Sequence, residues 1–363
     1  MRCITVLLAI GIAAAAISAY AAEPAPAAGA DEVVVTSTIQ AAVDAAQPGD
    51  TVVVPPGRYH ESVTITKSGI TIRGSRGAVL DASGFSTGIR AASGPGGAVC
   101  PPLMLHDLAV EGLSIEGASF TGVFFRGVDG FAIRNGSYSG NRLYAIFPVC
   151  SRGGVISGNH VQGTNDGAIY VGSSDHVEVA QNHATDSTAG ILIENSTNIV
   201  VRENRTIGNT GGIVTFVLPG LAVPVTQDVV IERNVVMHNN RQNPIAPSLE
   251  DPISLLPTGT GILTIGADRV VVQDNRVVGN DTGGIGLIAL PIPNPDPRVD
   301  PEPDGVEVRS NIALGNGLHP DVLRSPLPGA DLIYDGSGAG NCFADNVFQT
   351  SFPTALELLF GCG

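Results

Sequence analysis

Ser174-Asp175-His176-Val177-Glu178-Val179-Ala180-Gln181-Asn182 is followed by Thr197-Asn198-Ile199-Val200-Val201-Arg202-Glu203-Asn204. Gln227-Asp228-Val229-Val230-Ile231-Glu232-Arg233-Asn234 and Ala267-Asp268-Arg269-Val270-Val271-Val272-Gln273-Asp274-Asn275 repeat the phrase. Each copy is a polar turn, a short β-branched strand, a polar or charged pair, then Asn. A recurring unit with strand character is the mark of a solenoid, in which each repeat covers its neighbour's apolar face.

The closing Asn serves as a ruler. Asn159, Asn182 and Asn204 are 23 and then 22 residues apart, and Gly136 holds the equivalent place one step earlier. The steps then lengthen to Asn234, Asn275, Asn311 and Asn346, which implies inserted loops. Such a turn accommodates three short strands and three bends, one coil of a parallel β-helix with coils roughly 4.8 Å apart. A second ruler lies five residues downstream at Asn141, Asn209, Asn239, Asn280 and Asn316, with Thr164 and Ser187 filling two coils. Asn tolerates left-handed backbone, and its amide can bond the same group one coil away, so both files are expected to be ladders inside bends.

Between the rulers, Gly167-Ala168-Ile169-Tyr170-Val171, Gly190-Ile191-Leu192-Ile193-Glu194, Gly212-Ile213-Val214-Thr215-Phe216 and Gly261-Ile262-Leu263-Thr264-Ile265 align without gaps. With Glu194 pointing out, Ile191 and Ile193 point in. This alignment places Ile169, Leu192, Val214 and Leu263 in an outward apolar stripe, which needs cover on a soluble monomer. The Pro-rich insertions 217–226, 243–258 and 291–303 are the candidate covers.

The ends are also legible. Arg2, the apolar run Val6 to Ile17 and Ala19-Tyr20-Ala21 read as a signal peptide over residues 1–21, followed by a flexible leader over 22–33 and one β-helix domain over 34–363. Ser37-Thr38-Ile39-Gln40 looks like a capping box, and Ile39, Ala42, Val43 and Ala46 recur at helical spacing, which predicts a helix plugging the first coil. Ala355 to Phe360 is the apolar segment expected to cover the last coil.

Composition narrows the function classes. The net charge is −15 and Lys67 is the only lysine, which argues against nucleic acid and anionic membrane surfaces. Four cysteines follow the signal; in an exported protein they are expected to form disulfides, with Cys100–Cys150 and Cys342–Cys362 the favoured pairing of three. The expected location is periplasmic or secreted.

Thr38-Ile39-Gln40-Ala41-Ala42-Val43, Pro48-Gly49-Asp50-Thr51-Val52 and Pro56-Gly57-Arg58-Tyr59 resemble the opening of right-handed parallel β-helix proteins of the pectin-lyase-like superfamily. The Gly-Ile-x-Ile-x-x-Ser-x-x-Ile-x-Val-x-x-Asn repeat resembles their NosD-like and alginate-epimerase-like branch. The resemblance implies an all-β, single-domain right-handed parallel β-helix of about ten coils with an N-terminal capping helix. The superfamily's catalytic signatures do not match: Asp251-Pro252, Asp296-Pro297 and Asp300-Pro301 lack the His of an Asp-Pro-His-Asp motif, and Arg324-Ser325-Pro326 has Gly329 where an Arg belongs. No catalytic residue carries over.

The chemistry is therefore sought locally. Arg142, His160, Asp166 and His183 are the catalytic candidates, and Tyr144, Asn165, Asp186 and Arg205 the substrate-binding ones. His160 and His183 share one place on successive coils, as do Arg142 and Asn165. An Arg to hold a uronate carboxylate beside a His or Tyr to exchange a proton is what β-elimination or epimerisation requires. Two carboxylates, Asp166 with Asp186, would suit a glycosidase. The competing reading is that these residues merely solvate the coils. No metal site or cofactor is expected; calcium is the one ion considered, at Asp296, Asp300, Glu302 and Asp304, whose competing reading is a solvated acidic loop. The expectation is a monomer, without a membrane span, whose partner is a polysaccharide to be bound or processed by a lyase- or epimerase-like groove. The alternative is a non-catalytic scaffold, NosD-like, whose stripe docks a cell-envelope protein.

Overall fold

A computed structural model of the chain describes residues 31–94, 97 and 99–363. The expected signal peptide and most of the leader lie outside the described residues. Three parallel sheets of 12, 10 and 11 strands, taken in the order in which a coil visits them, run the length of the molecule. The chain visits one strand of each sheet per coil. The first sheet carries the quoted phrase, the second the three-residue strands between the rulers, and the third the six-residue strands after the second ruler. This is a right-handed parallel β-helix, and the core is the space the coils enclose.

Alternation makes that core. Ile89, Val123, Ile146, Ile169, Ile191, Ile213, Ile262, Ile285 and Leu332 stack in register along the inner face of the third sheet, all nearly inaccessible to water. One expectation is corrected here. Gly167 pairs with Ala189, not Gly190, so Ile169 points in and Tyr170 stands outward beside Leu192. The coil shortens from 23 to 22 residues between these rungs. The lost residue falls in the bend after the second ruler, where a gapless alignment cannot see it.

Both rulers are ladders. Along the first, each Asn Nδ2 donates to the next Asn Oδ1 from Asn159 to Asn346 at 2.9–3.0 Å, and Asn346 donates to Glu357 at 2.8 Å. The second runs through Asn209, Asn239, Asn280 and Asn316 to Asp331. The left-handed residue is the one before each Asn and not the Asn itself: Gln181, Glu203 and Arg233 have φ of 57°, 56° and 53°. Side chains of that size adopt this conformation only where the surroundings over-determine it, and the buried amide bonds of the ladder do so.

The described chain joins the first sheet at Glu32–Val34, inside the expected leader, because these residues pair with Thr51–Val53. The capping helix spans Ile39–Ala45. Its cap differs from the expected box: Thr38 Oγ1 accepts from Ala41 N at 3.1 Å, while Glu61 takes the amides of Ile39 and Gln40 at 2.7 and 2.9 Å. Gln40 faces Asp44 and Thr64 instead. At the other end Leu356 is fully buried, and Phe360 packs edge-on against Tyr334 at 4.9 Å. The disulfides are Cys100–Cys150 and Cys342–Cys362. Among the described residues no helix is long and apolar enough to cross a membrane.

Candidate functional site

The sequence candidates fall on two different faces. His160, His183 and Arg205 are vertical neighbours on the outer face of the second sheet. The imidazoles meet edge-on with centroids 5.7 Å apart, in a shallow depression that also includes Ser137, Gln162 and Thr185. Partial burial holds the His183 pKa below its ordinary value, and the nearby His160 and Arg205 charges push it the same way. Asp186 is exposed and pairs with Arg241 at 3.0 Å. These four side chains share no cleft with Asp166.

Arg142 and Asn165 stack in the bend that leads from the second sheet into the third, both exposed. The next residues turn inward over the third sheet. Its outer face presents Arg90, Phe124, Phe147, Tyr170, Leu192, Val214, Leu263, Gly286 and Ile333 in one file. Phe120, Phe124, Tyr144, Phe147 and Tyr170 form a continuous aromatic cluster, with Tyr144 and Phe147 centroids 4.4 Å apart and Tyr144 and Tyr170 5.2 Å apart. Arg90 sits over the Phe124 ring at 5.1 Å.

Two tyrosine–carboxyl pairs are built into this cluster. Tyr144 Oη donates to Asp166 Oδ2 at 2.6 Å. Tyr170 Oη donates to Glu194 Oε1. Burial pushes the Asp166 pKa up to about 6, opposed by the Tyr144 hydrogen bond and helped by the charge of Asp251. Burial pushes Glu194 up to about 7, opposed by the Tyr170 hydrogen bond and helped by Asp166. Both tyrosines are held well above the usual phenol range, first by burial and then by their carboxyl partners. Glu194 is 6% exposed and Tyr170 8%, whereas Asp166 and Tyr144 are half-buried. Asp166 is thus the acid a ligand can reach, and Glu194 fixes the ring behind it.

The insertions wall this face on both margins. Loops 240–259 and 315–329 rise where the second sheet passes into the third. Arg324 ties them together, donating to Ser254 O and Ile245 O at 2.8 Å each. Loops 217–226 and 289–306 rise on the opposite margin, linked by Arg298 to Leu221 O at 3.1 Å and Gly220 N to Asp296 at 3.1 Å. Residues 99–104 extend this second wall, fastened by Cys100–Cys150 and by Arg126 donating to Gly97 O and Val99 O. The stripe is therefore the floor of a groove. Leu256 packs onto it with Tyr170, Ala189, Leu192 and Val214.

The acidic loop considered for calcium spends its carboxylates locally. Asp296 pairs with Arg298, Asp300 caps Glu302 N, and Asp304 accepts from Ala339 N. Among the described residues no group of three His, Cys, Asp or Glu side chains is placed to hold a metal ion. Tyr170, Glu194 and Asp251 were missed by sequence reasoning. Glu194 was expected to point outward and does, but the one-residue bend put Tyr170 on the inner face and so hid their pairing, and Asp251 gives no local signal because it lies on an inserted loop.

The family model described as right handed beta helix region matches residues 62–217 and 121–290. Among solved structures, the A-module of a mannuronan C-5 epimerase from Azotobacter vinelandii is 16% identical, with 86% of this chain and 83% of that one covered, at a TM-score of 0.61. DFA-IIIase from Arthrobacter chlorophenolicus A6 in complex with GF2 is 13% identical, covering 90% and 100%, at 0.55. XylC in complex with xylose is 11% identical, covering 77% and 66%, at 0.53. At these identities the likeness is one of fold. A comparison with curated proteins finds no match.

Proposed function

We propose that this chain, which belongs to the right-handed β-helix family, binds a polysaccharide along the outer face of its third sheet and acts on it at Asp166. The observation that carries the reading is the Tyr144–Asp166 pair, set in an aromatic floor between two loop walls. Flat rings accept sugar faces, and an acid with a pKa of about 6 is suited to giving or taking a proton near neutrality. Two fold neighbours, a mannuronan C-5 epimerase module and XylC in complex with xylose, support a carbohydrate ligand.

Charge favours a neutral glycan. Asp166, Glu194 and Asp251 act on one another with the same sign, which opposes an anionic sugar at this point. In this reading Asp166 gives its proton to the glycosidic oxygen as the bond to the anomeric carbon breaks and water takes the vacated place, while the charge of Asp251 on the loop favours the protonated form of Asp166. Tyr144 orients Asp166, and the buried Tyr170–Glu194 pair holds Tyr144 from behind. A second reading, lyase or epimerase action on a uronate, is favoured by Arg142 at the rim and by Arg90 on the same face. The two disulfides fit export to an oxidising compartment, periplasmic or secreted.

The test is incubation with a panel of neutral polysaccharides and with alginate and pectate. New reducing ends from a neutral glycan, lowered roughly 10²–10⁴-fold in Asp166→Asn, support the first reading. Unsaturated or epimerised uronates support the second. No product and no binding on a glycan array removes both.

A further inference from the structure

C-terminal to Tyr170 the groove deepens into a pocket of about 330 Å³. That is the low end of the roughly 300–1,000 Å³ typical of small-ligand sites. Its floor is Leu192, Val214, Leu263, Gly286 and Ile333 on successive rungs. Gly283 and Gly286 make it deep: a side chain at either would run into Ile333 or Leu263, with a Cβ 2.7 and 2.8 Å away respectively. Leu255 and Leu256 overhang it from one wall, Leu290 and Pro291 from the other.

The polar side chains that line the pocket are all engaged within the protein. Thr260 donates to Pro257 O and Thr282 to Thr258 O. Ser325 donates to Leu327 O, and Asp335 accepts from Ala289 N. Arg324 is spent on Ser254 O, Ile245 O and Asp321. A wall with no unsatisfied donor or acceptor cannot repay the dehydration of sugar hydroxyls. Its natural occupant is hydrocarbon.

We propose that this pocket takes an alkyl or acyl chain carried by the substrate, so that the ligand is an amphiphilic glycan with its sugar at Tyr144 and Asp166 and its tail toward Gly286. The sugar half rests on the function proposed above; the tail half rests on the pocket alone. With rungs about 4.8 Å apart, the three steps from Tyr170 to Leu263 span roughly 14 Å, a length that one sugar and a medium alkyl chain cover together.

Calorimetry with n-octyl β-D-glucopyranoside below its micelle threshold, with glucose as the control, tests this. Each buried methylene tightens binding about fourfold, so four of them predict at least a hundredfold preference for the octyl glycoside, at one site per chain. Gly286→Leu fills the floor and is expected to remove at least tenfold of that preference. Leu255→Ser, on the half-exposed overhang, weakens it in the same direction should Gly286→Leu fold poorly. Equal affinity for the two sugars, or an unchanged preference in a folded Gly286→Leu protein, overturns the proposal. So does self-association that Gly286→Leu abolishes, since the pocket would then receive a second copy. Asp166→Asn separates the halves: it lowers turnover, and it changes octyl glucoside and glucose binding alike, so the preference for the octyl glycoside stays and failure of the catalytic reading does not mimic failure of this one.

Discussion

The hydroxyl of Tyr170 donates to the carboxyl group of Glu194 one rung along the helix axis, and both side chains are nearly closed off from water on the outer face of the third sheet. A carboxyl buried this way is held neutral. Its folded pKa of about 7 lies above the ordinary 4.5, so the folded state prefers the proton. The stability it contributes is complete below about pH 4.5 and is lost as pH rises through 7. Chemical denaturation from pH 4.5 to 8 should show a decline to which Glu194 contributes on the order of 2–3 kcal/mol, and Glu194→Gln should remove that share while the part due to Asp166 remains. An unchanged decline in Glu194→Gln refutes the assignment.

Asp166 gives the corresponding signature in turnover. Chemistry that uses its protonated form falls as pH rises past about 6. Asp251→Asn removes a charge that raises this pKa, so the falling limb should move to lower pH. A limb that stays in place places Asp251 outside the site.

Asn204 sits inside the first ladder. Its Nδ2 serves Val179 O and Asn234, and its Oδ1 accepts from the backbone and side chain of Asn182. Asn204→Ala strands several buried partners at about 1–3 kcal/mol each, a loss on the order of 3 kcal/mol or more. Asn346→Ala, at the partly exposed end of the same file, should cost less. Denaturant midpoints of the two variants measure the difference.

Tyr138 is completely buried inside the coils, and its hydroxyl has no partner. Tyr138→Phe removes an unsatisfied group and keeps the ring. It should leave the protein as stable or about 1 kcal/mol more so, read as a raised unfolding temperature.

Gly154 occupies an inward place on the first sheet, in register with Phe131 and Val177. A Cβ there would lie 2.0 Å from the Phe131 ring, which fills the space of the missing side chain. Gly154→Val should destabilise by about 1–3 kcal/mol through overpacking, and Phe131→Val in the same chain should recover most of it. Absence of recovery would place the strain elsewhere.

The contrast between these residues shows what was legible in the chain. Asn159 through Asn346 announce themselves because the same amide closes each copy of the phrase whatever length of loop separates the copies. The vertical contact of His160 and His183 follows from the same interval, and the structure keeps it. Which face they occupy relative to Asp166 was not legible, because three sheets diverge around a coil and spacing along one file says nothing about another. Tyr170 was lost to a single residue in a bend, since one step of register exchanges inside for outside. The path of the loop that lets the charge of Asp251 act on Asp166 is fixed by Arg324 and its carbonyl partners Ser254 and Ile245, contacts with no periodicity at all.

The C-terminal tail has a consequence for how the molecule behaves in company. Phe343, in the last strand of the first sheet, exchanges backbone hydrogen bonds with Phe360 and Cys362 of its own chain in a parallel bridge, and the 342–362 disulfide fastens it. Phe360 and Cys362 thereby occupy backbone groups of the last strand on which a strand of another molecule could otherwise pair. The tail thus shields the final coil against edge-to-edge association.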